Sequence, residues 1–235
     1  MPIKRPQLIN NEIYHIVVRG VSDQPIFKNN DDRYRVIFSL YEFNTVAPIE
    51  ISVQRKKRSI KNKGEQFSDK RILLVEILAF CFMPNHIHLL LRQLRDNGIT
   101  QFMRKFGAGY ATYFNKKYTR NGHLFQGRFK AIRITTDRQL KTVFVYIHTN
   151  PVALIEADWK KGGIKNSNKA IEFLENYKWS SYQDYIGQDN FSSVTKRDFL
   201  LEVMGGKRGC QGFLNDRVEY KGENNYNYFS DIELE

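Results

Sequence analysis

The chain has 235 residues, of which 41% are hydrophobic and 26% are charged. These fractions are ordinary for globular proteins and exclude collagen-like, coiled-coil and wholly disordered chains. The length predicts one domain, or one domain with an appendage. The longest uncharged apolar stretch, residues 77–83, is far shorter than the about 20 residues of a membrane-spanning helix. We therefore expect no membrane partner.

Basic residues outnumber acidic residues, 37 to 25, and the surplus is uneven along the chain. Residues 96–165 carry a net charge of +9, whereas residues 166–235 carry −4. Such an asymmetric field favours a polyanionic partner, most simply nucleic acid, although a basic protein without such a partner has the same balance. The chain has two cysteines and no apolar leader after Met1, so we expect a reducing, cytoplasmic location.

The first elements alternate between strand and helix. Residues 13–19 are β-branched and apolar and end at Gly20, which predicts a buried strand. Residues 30–32, Asn-Asp-Asp, predict the cap and acidic first turn of a helix whose apolar residues lie on one face up to Phe43. The basic segment 54–69 reads as an exposed loop or hairpin tip, either a solvated charge run or a DNA contact.

The central part of the sequence predicts a hairpin and two further helices. Residues 72–82 and 86–92 are apolar and separated by a short turn, which predicts two central strands. An aromatic stripe predicts a helix over 97–118, and residues 124–134 predict a strand with basic residues. Asp137 is then expected to cap a helix that runs to Thr149 and is stopped by Pro151.

The element order β-α-β-β-α-β-α predicts an α+β protein with a ferredoxin-like, split β-α-β antiparallel sheet and helices packed on it. The aromatic segment 177–185 is expected to cover one side of the core. We assign residues 1–187 to the domain and residues 188–235 to a C-terminal tail of unknown role. The tail predicts one short helix at 196–203 and a mobile stretch at 222–228.

Two histidines flank one residue in the second strand of the hairpin. His86 and His88 are two positions apart, so their side chains lie on the same face of the sheet, about 7 Å apart, and can converge on one cation. Beside the turn they are expected to be accessible. Neutral histidines with ordinary hydrogen bonds are the alternative interpretation.

A tyrosine and an asparagine are spaced by one helical turn before Pro151. Tyr146 and Asn150 share a helix face about 6 Å apart, so a phenol and an amide can address the same point. Alternatively, Tyr146 packs in the core and Asn150 caps the helix. His148 lies about 160° around the axis from Tyr146, which predicts packing or a DNA contact rather than a general base.

Taken together, these segments resemble the REP-associated tyrosine transposases, a branch of the single-tyrosine, His-hydrophobic-His transposases related to insertion-sequence transposases. The resemblance covers about residues 10–187. It is carried by residues 14–20 (YHIVVRG), 82–90 (FMPNHIHLL), 122–130 (GHLFQGRFK), Tyr146-Ile147 with Asn150-Pro151-Val152, and 179–182 (WSSY).

The resemblance implies an RRM-like, His-hydrophobic-His (HUH) nuclease core and assigns roles by position. His86, His88 and Asn150 are implied to hold a divalent metal ion, Mg²⁺ or Mn²⁺, and Tyr146 is implied to be the catalytic nucleophile. The implied activity is metal-dependent cleavage and rejoining of single-stranded or hairpin DNA through a 5′-phosphotyrosine, that is, DNA transposition by a site-specific strand transferase. The protein is then expected to be a nucleoid-associated monomer or homodimer.

Basic residues interleaved with aromatics predict a groove for single strands, bound by phosphate contact and base stacking. The candidate DNA-binding residues are Arg104, Lys105, Lys116, Lys117, Arg120, Arg128, Lys130 and Arg133. Solubilising surface charge is the alternative. Two other functions stay open: a non-catalytic nucleic-acid-binding module, because ferredoxin-like sheets also recognise RNA, and a relaxase-like replication initiator with the same motif.

Overall fold

The structure, a computed structural model, describes residues 6–50, 53 and 71–220. The strands are β1 (Ile13–Arg19), β2 (Val75–Met83), β3 (His86–Gln93) and β4 (Lys130–Ile134). The helices are α1 (Asn30–Glu42), α2 (Gly98–Lys117), α3 (Asp137–Thr149), α4 (Trp159–Gly162), α5 (Ser167–Asn176), α6 (Tyr182–Ile186), α7 (Asp198–Met204) and α8 (Gly206–Glu219), with 3₁₀ turns at Val21–Asp23 and Asn150–Leu154. The predicted loop at 54–69 and the predicted mobile stretch at 222–228 lie outside the described residues.

The four strands form one sheet in the order β2-β3-β1-β4, and every neighbouring pair is antiparallel. This order inserts β3 between β1 and β2, which are joined through α1, as in a split β-α-β unit. The predicted α+β, ferredoxin-like class is confirmed. The hairpin of β2 and β3 is also confirmed, but only β3 is central, because β2 lies at one edge of the sheet.

The edge strand β2 is covered by the aromatic segment that follows α5. The backbone N–H of Phe82 donates to the carbonyl of Trp179, and the N–H of Ser181 donates to the carbonyl of Phe80, at 2.9 and 3.0 Å. These bonds satisfy an edge that would otherwise be open to pairing with another chain. Residues 177–185, which were predicted to cover one side of the core, therefore cover this edge of the sheet. Because its edge is covered, β2 has the apolar composition of a central strand.

The two faces of the sheet carry different helices. The helices α1 and α2 pack on the face formed by residues such as Ile16, Leu89 and Ala131, around a core of aromatic side chains. Helix α3 packs on the other face, against residues such as Leu90 and Ile134. Because side chains alternate along a strand, this second face is also the one to which His15, His86 and His88 belong.

Three predicted boundaries are wrong for local reasons. Residues 124–129 are not part of the strand, which begins only at Lys130, because the chain turns at Gly127 with φ of +65°. The helix caps are Asn29 and Thr136 rather than Asn30 and Asp137, since the side chains of these preceding residues accept the N–H groups of the first turn.

Helix α3 ends at Thr149, before Pro151, as predicted, and the chain then continues as a tighter 3₁₀ turn. Asn150 keeps helical torsions (φ −49°, ψ −40°) and begins the 3₁₀ turn Asn150–Leu154, with Pro151 in its first positions. A proline at the start of a helical turn removes an N–H that lacks a partner there in any case. Because Asn150 keeps helical torsions, it lies one helical turn after Tyr146, immediately beyond the last residue of α3.

The C-terminal region contains one helix that was predicted and one that was not. The short helix expected at 196–203 is observed as α7, and α8 follows it. Cys210, Leu214 and Val218 of α8 are buried at intervals of four residues. Cys210 belongs to the same apolar cluster as α3, so this region packs against the helix that carries Tyr146. None of the helices within the described ranges has both the length and the hydropathy needed to cross a membrane.

Candidate active site

Helix α3 and strand β3 bring the predicted tyrosine, asparagine and histidines together. The amide nitrogen of Asn150 lies 3.2 Å from Nε2 of His88. The ring of Tyr146 is edge-on to the ring of His88, with centroids 5.5 Å apart. The rings of His86 and His88 are 4.8 Å apart. Residues separated by about 60 positions in the chain thus meet between one helix and the sheet.

These side chains are buried, contrary to the accessibility expected for the histidine pair. His86 is 6% exposed, His88 0%, Tyr146 1% and Asn150 1%. The accessibility prediction was wrong because it considered only the neighbouring turn, whereas α3 and the 3₁₀ turn after it cover this face of the sheet. The Lys160 ammonium, on the short helix α4, lies 5.0 Å from the centroid of the Tyr146 ring and adds to this cover.

His148 faces away from the site, as its position on the helix predicts. Its Nε2 is 2.8 Å from the hydroxyl of Ser181, and its ring packs 4.3 Å from that of Phe144. Burial lowers the pKa of His148 from 6.5 to about 3, because the charged imidazolium cannot be hydrated there. Of the two roles predicted for His148, packing is the one observed, and the side chain is 0% exposed.

A third histidine joins the pair and was not singled out from the sequence. His15 on β1 lies with its Nε2 3.0 Å from Nδ1 of His88, and the two rings stack at 5.2 Å. The sequence signal that could have found it is the alternation of side chains along a strand. Once β1 is paired with β3, His15 points to the same face of the sheet as His88. That pairing is a property of the sheet and is not contained in the local spacing.

The donor atoms at the site fit a divalent cation only if an amide oxygen is included. Among the residues that the structure describes, no group of three His, Cys, Asp or Glu side chains is placed to hold a metal ion. Two imidazoles and the Asn150 amide provide two nitrogen donors and one oxygen donor. The Asn150 atom that lies 3.2 Å from Nε2 of His88 is the amide nitrogen, so the amide must turn for its oxygen to share a cation with His88. The residues therefore fit a loosely held divalent ion.

The predicted DNA-binding residues fall into two groups in space. Arg104, Lys105, Lys116 and Lys117 belong to α2, on the sheet face opposite Tyr146. Lys130 is the first residue of β4, and the strand alternation places it on the same face as His88, whereas Arg128 lies two residues before the strand. Sequence proximity alone did not distinguish these two faces.

Several of these basic side chains are engaged within the fold. Lys105 donates to the carbonyls of Thr45 and Ala47 at 2.5 and 2.8 Å, and burial lowers its pKa. Lys117 pairs with Asp32 at 2.8 Å, and Arg133 pairs with Glu12 at 2.8 Å. Arg120 donates to the side chain of Asn115 at 3.2 Å. Arg104, Lys116, Arg128 and Lys130 are exposed.

Fold and site together define a ferredoxin-like α+β protein in which a tyrosine and an asparagine on one helix face paired histidines on the central strand. Residues 53–150 of the chain match the family model described as IS200-like transposase. This range includes His86, His88, Tyr146 and Asn150. The resemblance to the transposases is confirmed by this match, over those residues.

Comparison with solved structures and with curated proteins gives two further findings. A structure of a REP-associated tyrosine transposase bound to a REP hairpin matches with 16% sequence identity and a TM-score of 0.49. The match covers 84% of this chain and 96% of that one. No curated protein matches the chain.

Proposed function

We propose that the protein is a metal-dependent transposase that cleaves and rejoins single-stranded, hairpin-forming DNA through a 5′-phosphotyrosine. One observation carries the proposal: the Asn150 amide contacts His88, with Tyr146 beside both. The transposase resemblance requires the histidines of β3 to lie beside Tyr146 and Asn150. Spacing along the chain alone cannot bring these residues together. The match of residues 53–150 to the IS200-like transposases supports the same class of activity. A DNA substrate supports a cytoplasmic, nucleoid-associated location.

The proposed reaction exchanges one phosphodiester for another. The Tyr146 Oη attacks the scissile phosphorus, the P–O bond to the 3′ oxygen breaks, and the phenolic proton is transferred overall to that 3′ oxygen. The products are a tyrosine-linked 5′ phosphate and a free 3′ hydroxyl, so no external energy source is needed for the reverse step. A phenol of pKa near 10 is about one part in a thousand ionised at neutral pH, which costs roughly 4 kcal/mol.

His86, His88 and Asn150 would hold the ion that lowers this cost. When bound, a divalent ion polarises the scissile phosphate and offsets the charge that develops on it. The Asn150 Nδ2 donates to the carbonyl of Tyr146 at 3.3 Å, so the amide must turn to offer its oxygen instead. Mg²⁺ and Mn²⁺ both favour oxygen ligands, so the Asn150 oxygen, water and the DNA phosphate would complete the shell around the two imidazole nitrogens.

DNA can reach Tyr146 only if its cover moves. Helix α4 spans four residues and is followed by Gly163, whose φ is +73°. The Glu156 carboxylate accepts the N–H groups of Lys165 and Asn166 at 2.9 and 3.4 Å and closes the segment on itself. Because Trp159 and Ile164 anchor the segment in a buried apolar cluster, we infer that the side chain of Lys160, rather than the whole segment, moves from the phenol ring toward phosphate.

A non-catalytic module that stacks bases on its sheet is less well supported. Base stacking on a ferredoxin-like sheet needs aromatic side chains on an open face. Here α1 and α2 cover one face and α3 covers the other. A replication initiator would have the same site. A transposase differs from a replication initiator because it rejoins the cleaved strand to a second DNA end.

The test is a covalent adduct with a pool of hairpins carrying single-stranded flanks, in Mn²⁺, resolved on a denaturing gel. A 5′-phosphotyrosine keeps a 3′-end label on the protein and releases a 5′-end label. We expect Tyr146→Phe to abolish the adduct while hairpin affinity stays within a few-fold, because only one oxygen is removed.

Tyr113→Phe is the matched control, since Tyr113 is partly buried on α2 and its hydroxyl donates to Asp32, far from the histidines. It should form the adduct at the unmodified rate. An adduct that persists in Tyr146→Phe would move the nucleophile to another tyrosine. Hairpin binding with no adduct from the unmodified protein would favour the non-catalytic module.

A further inference from the structure

The third histidine, His15, contacts the nitrogen of His88 that faces away from Asn150. The Nε2 of His15 lies 3.0 Å from the Nδ1 of His88. The rings are nearly parallel, at 18°, and both side chains are 0% exposed. His88 is thus held from two sides, by Asn150 at Nε2 and by His15 at Nδ1.

The hydrogen-bond partners determine which nitrogen of His88 carries the proton. The Asn150 Nδ2 donates to the carbonyl of Tyr146, which can only accept, so the amide nitrogen faces this way. The same nitrogen lies against His88 Nε2, which must therefore accept. With Nε2 accepting, a neutral His88 has its proton on Nδ1 and donates it to His15 Nε2.

We propose that His15 is a positioning residue that keeps His88 in the Nδ1–H tautomer, with the Nε2 lone pair directed at Asn150 and at the cation site. This inference rests on the proposed function for the identity of the cation site. A histidine binds a cation through an unprotonated nitrogen, and the partner of its other nitrogen fixes the tautomer and the ring orientation. Partners of this kind are typically carboxylates, carbonyls or water, and here a neutral imidazole takes that place.

The first test reads the tautomer directly, without metal and without DNA. Long-range ¹⁵N–¹H spectra of the apoprotein report which imidazole nitrogen is protonated, and the chain has only five histidines to assign. In the unmodified protein we expect His88 to be protonated at Nδ1. His15→Phe keeps a ring but removes the acceptor, and it should shift His88 toward the Nε2–H form. His15→Gln restores an acceptor oxygen and should restore the Nδ1–H form.

The second test measures Mn²⁺ binding from the free-ion electron paramagnetic resonance signal. Loss of a partner of a metal ligand typically weakens metal affinity 10- to 100-fold. We expect this loss in His15→Phe and recovery to within a few-fold in His15→Gln. His123→Phe, at an exposed position outside the sheet, should bind as the unmodified protein does.

The outcomes separate this inference from the proposed function. A His88 protonated at Nε2 in the unmodified protein overturns the role of His15, and this reading needs no variant to fold. Equal Mn²⁺ affinity in His15→Phe and the unmodified protein also overturns it, even if the DNA adduct forms. The expected tautomers and Mn²⁺ affinities without any DNA adduct would support His15 while rejecting the transposase activity.

Discussion

His148 connects the helix that carries Tyr146 and Asn150 to the edge strand β2. The hydroxyl of Ser181 lies 2.8 Å from His148 Nε2, and the same oxygen accepts the backbone N–H of Phe80 at 3.0 Å. Ser181 belongs to the segment that covers β2. The contact therefore fixes α3 relative to the hairpin that carries His86 and His88.

The buried state of His148 predicts a pH-dependent stability. Its pKa is about 3 in the folded protein and near 6.5 when unfolded, so between these values the unfolded chain binds one more proton. The free energy of unfolding should fall as pH decreases from 6.5 toward 3, with this group contributing up to about 1.4 kcal/mol per pH unit. Urea unfolding at pH 7, 6, 5 and 4 should show a shallower decline in His148→Phe. An unchanged decline in that variant, matching the exposed-site control His123→Gln, would contradict the prediction.

At the residue scale, the sequence predicted which side chains come together in the candidate active site. It did not predict the residues that cover them. Two predictions used spacing within a single element, and both are observed. His86 and His88 point to the same face of β3, and Asn150 follows Tyr146 by one helical turn. His15 and Lys160 were missed because their places depend on strand register and on the path of the chain after α3. Burial of the site was missed for the same reason.

The helices α1 and α2 are joined by one buried carboxylate, Asp32. It accepts hydrogen bonds from Lys117 at 2.8 Å and from the Tyr118 hydroxyl at 2.7 Å. It also accepts from the Tyr113 hydroxyl, from the N–H of Lys28 and, through the capping box, from the cap residue Asn29. Although burial alone would raise the pKa of Asp32, these hydrogen bonds hold it below the ordinary 3.8. Lys117, predicted to contact DNA, is thus part of the fold.

Removing the Asp32 carboxylate should destabilise the protein. Asp32→Ala leaves Lys117 and Tyr118 without their acceptor, and we expect a loss of about 2–3 kcal/mol in the free energy of unfolding at pH 7. Asp31→Ala is the matched control, because Asp31 is 82% exposed and should matter by less than about 0.5 kcal/mol. Because the pKa of Asp32 is lowered, its contribution is present above pH 3.8 and is lost as pH falls further. Equal losses in the two variants would show that Asp32 does not connect the helices.

Among the elements, those with an uninterrupted pattern were predicted well. The strand order followed from the alternation of elements, and α2 followed from its aromatic stripe. Helix α8 was missed because Gly206, Gly209 and Gly212 lower its helix propensity. The interval of four between Cys210, Leu214 and Val218 was the signal that could have found it.

At the scale of the whole molecule, the exposed candidate DNA-binding residues of the described part of the chain lie on two opposite faces. The α2 face carries Arg104 and Lys116, which are exposed. The Tyr146 face carries Lys130 at the start of β4, with Arg128 two residues before it and Lys160 over the phenol. If DNA is cleaved at Tyr146, its scissile phosphate must approach the second face.

The salt dependence of hairpin binding should therefore identify the face that holds DNA. Each neutralised phosphate on a single strand contributes about −0.7 to the slope of log affinity against log salt, so four to six contacts give roughly −3 to −4. Replacing Arg128 and Lys130 together with Ala should make the slope shallower by about 1.4. Replacing Arg104 and Lys116 together removes the same charge from the opposite face and should leave the slope unchanged. A shallower slope only in the second double variant would place the DNA along α2, away from Tyr146, and a slope near zero in the unmodified protein would exclude a phosphate-binding groove on either face.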